Sequence, residues 1–401
     1  VGGIVWELDV AAALGNPAPW VTSLVEASAE TWLAAVSVED QETAETGSVI
    51  LVLDAATGAV KAPPGAADLP DPVVCASRLL AGEAICLADG EIRLVDPDTG
   101  RVGPEALGGG LGVEAEAVAV TGDEQLVVAG VAVDNGAPVV ASLRAEGQVV
   151  WSSQIDLPDC FVAAGGQSGH VIELGGALQV AVGQAQALLA PDSGRVLAAV
   201  CGQMVVTGDG ALATMGDDAR AGGTGSYRDA ADQARPICQF GSAQDLMAVD
   251  TPAGGRFAVI DDAERLSLVD PQGCQPVWLK DGKLGQALFQ GHDQEALYYA
   301  KVGGLTAVAL DTGAERWLAP VTGGASFRSA YVQDGVIVLM TSVDLRGIGP
   351  VDGQVVWSVE DFSDGGWYWE AAPNGASRTL ALLGPARSKI TRLDLSTPFV
   401  S

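Results

Sequence analysis

The chain has 401 residues, and its 48% hydrophobic residues and 52 glycines are typical of a globular protein with many turns. Its 51 acidic residues outnumber 21 basic ones, so the formal net charge of −30 excludes nucleic acid, which is bound through Lys and Arg. No uninterrupted apolar run of about 18 residues occurs, so we expect no membrane insertion by this segment.

The chain begins with VGGIVWELDV, which has neither an initiator Met nor a basic stretch followed by an apolar run. We therefore expect a mature or trimmed chain whose signal or anchor is absent. Residues 2–10, GGIVWELDV, resemble residues 353–361, GQVVWSVED, although no aspartate-ending strand precedes the first copy. The N-terminal stretch thus looks like the second half of a repeated unit.

A turn signal recurs along the chain: an apolar strand ends near an acidic residue, a Gly follows, and a Trp often comes four residues later. Successive copies are 41–50 residues apart, except for one interval of 78 residues after Asp192, and about 40–50 residues are typical of one propeller blade. The copies are Asp54 with Gly58, Asp96 with Gly100, Glu146 with Gly147 and Trp151, Asp192 with Gly194, Asp270 with Gly273 and Trp278, Asp311 with Gly313 and Trp317, and Asp352 with Gly353 and Trp357.

Each copy predicts a hairpin between the two outer strands of a blade. The Asp side chain can accept hydrogen bonds from backbone N–H groups two residues further on, and Gly supplies the positive φ of a tight turn. The Trp is expected to pack on the neighbouring blade, where its N–H needs an acceptor. Between the turns, short runs rich in Val, Ile and Leu predict strands.

The C-terminal stretch SKITRLDLST has the aspartate-ending strand with Asp394, but no partner strand follows it. We predict that the N-terminal strand pairs with it and closes the ring, which removes exposed sheet edges. The fold class is all-β, a closed propeller of eight four-stranded blades, with seven or nine blades as alternatives. Residues 1–401 form one domain and a monomer. The polar segment 217–236 is predicted to be a loop insertion, with a degenerate ninth blade as the alternative.

The six cysteines form an even set without zinc-ligand spacing, and only two histidines accompany them. They are either buried thiols in a reducing compartment or form up to three disulfides in an oxidising one. Cys75 and Cys86 lie in adjacent predicted strands, so we favour a disulfide between them and leave the other pairings open. We expect no metal site and no catalytic residue.

The segment EDFSDGGWYWE, residues 360–370, concentrates carboxylates around aromatic side chains. It is our candidate binding surface, suited to a basic or carbohydrate partner. The alternative is a connection between blades with ordinary core aromatics. The candidate residues are Asp361, Asp364, Trp367, Tyr368, Trp369 and Glu370.

The pattern Asp-x-x-Thr-Gly-x-x-x-Trp, best kept in LDAATGAV, VDPDTGRV and LDTGAERW, resembles the PQQ-like β-propeller repeat over essentially the whole chain. That family contains quinone-dependent alcohol dehydrogenases as well as non-catalytic propellers, among them an outer-membrane assembly lipoprotein. The dehydrogenases are similar to one another in having two adjacent cysteines over the quinone and a Ca²⁺ ion held partly by Asn. This chain has no Cys-Cys pair, and its three Asn residues, at 16, 135 and 374, each adjoin Gly or Pro.

The resemblance therefore implies a non-catalytic, extracytoplasmic bacterial module without a cofactor. It would be secreted, displayed on the cell surface or tethered to a membrane, and its partner would be another protein with a basic surface. The alternative is a propeller that binds a ligand or metal, either a quinone-dependent dehydrogenase or the sensor domain of a membrane protein.

Overall fold

A computed structural model describes most of the chain. The described residues are 4–16, 19–39, 46–62, 65–70, 73–107, 111–157, 160, 169–174, 176–209, 212–216, 225–228, 236–240, 243–251, 254–271, 273, 275–280, 284, 287–301, 303–321, 327–333, 336–342, 344–360, 368–371, 379–383 and 389–394.

These residues form 35 strands in eight antiparallel sheets, together with one short helix, α1 (Val10–Leu14). Sheet 1 contains β2 (Trp20–Ser28), β3 (Thr31–Glu39), β4 (Thr46–Asp54) and β5 (Gly65–Pro70). Sheet 2 contains β6 (Val73–Leu80), β7 (Glu83–Ala88), β8 (Glu91–Val95) and β9 (Val102–Leu107). Sheet 3 contains β10 (Val113–Val120), β11 (Leu126–Ala132), β12 (Pro138–Leu143) and β13 (Val149–Gln154).

Sheet 4 has seven strands: β14 (His170–Leu174), β15 (Ala177–Val182), β16 (Ala185–Leu189), β17 (Val196–Val206), β18 (Leu212–Gly216), β19 (Gly225–Arg228) and β20 (Pro236–Phe240). Sheet 5 contains β21 (Ala243–Thr251), β22 (Gly254–Asp261), β23 (Leu266–Asp270) and β24 (Gln275–Lys280). Sheet 6 contains β25 (Leu288–His292), β26 (Ala296–Lys301), β27 (Gly304–Ala309) and β28 (Glu315–Pro320). Sheet 7 contains β29 (Phe327–Gln333), β30 (Val336–Thr341), β31 (Asp344–Ile348) and β32 (Val355–Glu360). Sheet 8 contains β33 (Tyr368–Ala371), β34 (Thr379–Leu383), β35 (Lys389–Asp394) and β1 (Ile4–Asp9).

The sheets are arranged as blades, each packed face to face against the next. The first strand of a sheet contacts the first strand of its successor, for example β2 against β6, β6 against β10, and β25 against β29. The middle strands are buried on both faces, and β12 is buried at all six positions. A strand covered on both faces reads as a continuous apolar run, which explains the Val-rich and Leu-rich segments of the sequence. The predicted all-β propeller is confirmed.

Ring closure occurs as the sequence predicts, because β1 pairs antiparallel with β35 and completes sheet 8. Trp6 on β1 packs edge-on against Trp32 of sheet 1, with ring centroids 5.6 Å apart. The Lys389 ammonium also lies 2.9 Å from the Glu7 carboxylate. The N-terminal strand therefore joins the last sheet to the first.

Sheet 4 is wider than the others because β17 serves two four-stranded arrays. Residues 196–201 of β17 pair with β16, and residues 202–206 pair with β18. Residues 217–236, predicted as a loop insertion, include β19, which pairs with both β18 and β20. That prediction is corrected for this part of the segment, because a Gly-rich, polar sequence here still forms a strand. The second array, β17 to β20, corresponds to the additional repeat that the sequence offered as the alternative to a loop insertion.

The repeated turn has one geometry in five sheets. A Gly with φ between 66° and 70° donates its N–H to the carbonyl four residues before it, at 2.8–2.9 Å. The five donors and their acceptors are Gly58 to Asp54, Gly100 to Asp96, Gly194 to Ala190, Gly313 to Ala309 and Gly353 to Gly349.

The acidic residue, in contrast, does not hold a constant position in this turn. Asp54 and Asp96 are the first turn residues, and each accepts from backbone N–H groups two and three residues on, as predicted. Hydrogen bonds from Thr57 hold the pKa of Asp54 below its ordinary value. Asp192 and Asp311 are third residues, and each accepts from the hydroxyl of the next residue instead. Asp352 is fourth, and its carboxylate accepts from the N–H of Gln354.

The turn after Asp270 also differs from the common geometry. Gly273 is described and has no positive φ, and no atom lies within 4 Å of where its Cβ would stand. The prediction that this Gly supplies a left-handed turn residue is wrong.

Tryptophans of the outer strands lock successive sheets together, which confirms the predicted packing. Each indole lies on the turn Gly of the next sheet, and each Nε1 donates to the carbonyl of the second turn residue. The four contacts are Trp6 to Ala55 and Trp151 to Pro191 at 2.8 Å, Trp278 to Leu310 at 2.8 Å, and Trp317 to Pro350 at 2.9 Å. A shift in strand register adjoins each of these tryptophans and Trp357, so the bulge turns the indole towards the neighbouring sheet.

Two disulfides are present among the described residues. Cys75 and Cys86 are directly opposite on β6 and β7, as predicted. Cys160 pairs with Cys201 on β17, close to the point where β17 passes from one array to the other. No helix in the described part of the chain is long and apolar enough to cross a membrane.

We predict a third disulfide, between Cys238 and Cys274, from the strand register at Cys238 and from the spacing of Cys274 in the sequence. Cys238 on β20 pairs with Tyr227 beside a register shift, the position that Trp occupies in other outer strands. Cys274 lies outside the described residues, but it comes four residues before Trp278, as Gly313 does before Trp317.

Thiol labelling of the denatured, unreduced protein is therefore expected to find no free thiol. Digestion and mass spectrometry should recover the peptides of Cys238 and Cys274 linked to each other. Two free thiols at these positions, with the other four cysteines protected, would contradict the prediction.

Candidate interaction face

The two faces of the ring differ in which strand ends they carry. Neighbouring strands within a sheet are antiparallel, so the innermost strands all begin at one face, here called the start face. This face also carries the turns between second and third strands. The opposite face, here called the hairpin face, carries the turns between first and second strands and the repeated Gly turns.

Large apolar side chains are exposed at the start face. Trp20 is the first residue of β2 and Leu288 the first of β25, and their side chains are 42% and 57% exposed. Val74 is the second residue of β6 and is 38% exposed. Val133 lies in the turn between β11 and β12 and is 75% exposed. Because burial of such side chains is the main driving force of association, this face is suited to docking.

Exposed carboxylates lie on the same face as these apolar residues. Glu39 ends β3, Asp89 lies in the turn between β7 and β8, and Asp134 lies beside Val133, and all three are exposed. Arg93, a cation near this face, already contacts the carboxylate of Glu91. The face therefore combines apolar anchors with negative charge, which favours a partner of opposite charge.

The innermost strands beneath the face are tied to one another by side chains that bond to the backbone of the next strand. Such bonds fix the spacing of the strand ends, so the anchors are held on a rigid support. They run from the N–H of Cys75 to Ser23 (3.1 Å), from Gln203 to the carbonyl of Leu246 (3.0 Å), from the N–H of Phe289 to Asp245 (2.7 Å), and from the N–H of Ala330 to Gln290 (2.9 Å).

The candidate surface predicted from sequence lies partly outside the described residues, namely Asp361, Asp364 and Trp367. Tyr368, Trp369 and Glu370 begin β33, the innermost strand of sheet 8, and their backbone pairs with Leu383, Leu382 and Ala381 of β34. Since β33 is an innermost strand, its first residues belong to the start face. Topology thus places Tyr368, Trp369 and Glu370 at the same face as Trp20 of the adjoining sheet.

Sequence reasoning did not identify the four exposed apolar residues of the start face. Each is a single Trp, Val or Leu within a strand or turn, and such residues are common throughout the chain. Their common feature is a position at the strand ends and turns of one face, and this becomes visible only when the order of strands within each sheet is known.

The carboxyl group of Glu116, on the innermost strand β10, is enclosed by protein. Both carboxylate oxygens are inaccessible to solvent and form no hydrogen bond within the described structure. Burial raises the pKa of Glu116, and the nearby Glu114 carboxylate raises it further, while the backbone of Gly183 offsets part of the effect. The described residues contain no group of three or more His, Cys, Asp or Glu side chains placed to hold a metal ion.

No protein-family model and no curated protein matches this chain. Among solved structures, the computationally designed protein Ika8 is similar, with a TM-score of 0.52 and 10% sequence identity over 98% of this chain and 100% of Ika8. BamB from Moraxella catarrhalis is also similar, with a TM-score of 0.48 and 12% identity over 80% of this chain and 94% of BamB. At such low identity the likeness to Ika8 concerns the fold alone. The sheet topology and the ring closure establish the chain as a β-propeller.

Proposed function

We propose that the chain is a non-catalytic interaction module of the bacterial cell envelope, which docks another protein through its start face. The observation that carries the proposal is the set of exposed apolar side chains at the beginnings of β2, β6 and β25. Three separate sheets contribute them, and side-chain hydrogen bonds tie β2 to β6, and β25 to its neighbours β21 and β29. A rigid apolar patch with an acidic margin is typical of a protein-docking surface.

The extracytoplasmic location is supported by the disulfides. Both pairs link cysteines that are distant from any redox motif of the Cys-x-x-Cys type, so a structural role fits them best. Structural disulfides form and persist in oxidising compartments such as the bacterial periplasm. The Cys75–Cys86 bridge also joins the two strands that hold Val74 at the start face.

The net charge of −30 favours a partner with a basic surface. Acidic residues share the face with the anchors, and the chain has few cations of its own, so a basic docking surface would be steered towards this face. Such steering weakens at raised ionic strength, whereas contacts of Trp20 and Leu288 do not depend on salt. We therefore expect raised salt to lower the rate of association with the partner without abolishing binding.

The test compares two double variants of the purified protein. Trp20→Ser with Leu288→Ser removes apolar anchors from the start face. Val149→Ser with Val355→Ser is the matched control, because these residues are 45% and 50% exposed but lie on outer strands. Each protein is immobilised, incubated with envelope extract, and its bound proteins are quantified by mass spectrometry.

We expect at least one basic protein to be retained by the parent and the control but reduced about tenfold or more on the start-face variant, as loss of two anchors implies. Equal recovery on all three proteins would overturn the proposed docking face. Turnover of a substrate by the parent protein would overturn its non-catalytic role.

A further inference from the structure

A cavity of about 490 Å³ lies between sheets 5 and 6 at the hairpin face, remote from the proposed docking face. Its walls include Arg256 at the start of β22, Gln294 and Glu295 between β25 and β26, and Leu310, Asp311 and Arg316 around the repeated turn of sheet 6. Small-molecule sites in proteins commonly have volumes of about 300–1,000 Å³. The cavity is therefore large enough for a small ligand.

The charges that line this cavity are only partly paired with each other. Arg316 lies 3.1 Å from the Glu295 carboxylate and forms an ion pair with it. The Arg256 side chain forms no hydrogen bond or ion pair with any described residue, although the chain has far more acidic than basic residues. Asp311 accepts only from the hydroxyl of its neighbour Thr312, at 3.2 Å. One cation and one anion thus line the same space without neutralising each other.

The walls that carry these charges are fixed by their own hydrogen bonds. Asp293 accepts from the N–H groups of Glu295 and Ala296, both at 2.8 Å, and from the hydroxyl of Tyr298. Leu310 donates its N–H to the carbonyl of Glu295 at 2.9 Å, which ties the two turns together. Its own carbonyl accepts from the Trp278 indole. The site is therefore pre-organised, which lowers the entropic cost of binding.

We propose that this cavity binds a small zwitterion of the amino-acid or short-peptide class. The Arg256 guanidinium is suited to a bidentate contact with a carboxylate, and the Asp311 carboxylate to an ammonium group. Leu310 also lines the cavity and supplies an apolar contact, and the exposed Gln294 amide can bond to a peptide group. A dianion would be repelled by Asp311 and Glu295, and a dication by Arg256, so a ligand with both charges fits the lining best.

The experiment is calorimetric titration of the full chain with three probes: trialanine, succinate and 1,5-diaminopentane. Trialanine carries both charges, whereas the other two carry only one kind. We expect trialanine to bind and the other two not to bind. Arg256→Gln and Asp311→Asn should each weaken trialanine binding about tenfold or more, because each removes a charge-assisted hydrogen bond.

Matched controls separate loss of the site from loss of structure. Asp192→Asn changes the same turn position in sheet 4, where Asp192 also accepts from a neighbouring hydroxyl but does not line the cavity between sheets 5 and 6. Arg101→Gln changes an exposed arginine in sheet 2. Both controls should bind trialanine as the parent does. Binding of succinate or of 1,5-diaminopentane in preference to trialanine, equal weakening by the controls, or no binding of trialanine would each overturn the proposal.

Discussion

Replacement of Trp278 by Ala is expected to lower the free energy of unfolding by about 3–5 kcal/mol, the usual cost of truncating a large core aromatic side chain. The indole is 8% exposed, and its Nε1 donates to Leu310 at 2.8 Å. The variant loses the packing on the turn of sheet 6 and leaves the Leu310 carbonyl without this donor. Urea unfolding followed by far-ultraviolet circular dichroism gives the change directly.

Trp20→Ala is the control for this substitution, since Trp20 is the first residue of an inner strand and is 42% exposed. We expect it to change the free energy of unfolding by less than about 1 kcal/mol. If Trp278→Ala and Trp20→Ala had equal effects, the contact between an outer-strand Trp and the next turn would contribute little to the stability of the ring.

Substitution of Gly194 by Ala is expected to destabilise the protein by about 2–5 kcal/mol, from two additive causes. The residue has φ of 66°, and a left-handed conformation costs an L-residue about 1–2 kcal/mol. In addition, its Cβ would lie 2.2 Å from a ring carbon of Trp151, so the indole must move, and overpacking of this kind costs about 1–3 kcal/mol. Thermal or urea unfolding measures the sum.

Gly136→Ala isolates the first cause, the conformational cost. Gly136 has φ of 70° in the turn between β11 and β12, but no atom lies within 4 Å of where its Cβ would stand. We expect it to show the conformational cost alone, about 1–2 kcal/mol. The difference between the two glycine variants then measures how tightly Trp151 packs on the turn of sheet 4. A difference near zero would contradict close packing at this contact.

The contact between Trp and turn was predictable because both residues recur at fixed spacing in a linear repeat. A Trp four residues after a turn Gly indicates an outer strand, and its need for an acceptor and a packing surface follows from the chemistry of indole. The positions of the aspartates were less predictable. Asp54, Asp192 and Asp352 all precede a turn Gly, but each accepts a different local hydrogen bond. Residues that match in the repeated sequence therefore occupy different positions in the turn.

The start face and the cavity between sheets 5 and 6 could not be derived from the sequence in the same way. Trp20 and Leu288 are 268 residues apart, and Arg256 and Asp311 are 55 apart, so neither pair forms a local pattern. The order of strands within each sheet decides whether Trp20 and Leu288 share a face and whether Arg256 and Asp311 line the same cavity. Residues 217–236 mark a related difficulty, since polarity and glycine content predicted a loop where pairing with β18 and β20 still stabilises β19.

The pairing of β1 with β35 sets a minimum time for completing the fold. Glu7 and its partner Lys389 are 382 residues apart, so at about 5–20 residues per second β1 waits about 20–80 s for β35 to be synthesised. During that interval β1 has no native partner, and its hydrogen-bonding edge is available to chaperones or to other nascent chains. A chain released before residue 389 would retain an open edge on sheet 8, which gives quality-control proteases a specific feature by which to distinguish incomplete products from the finished ring.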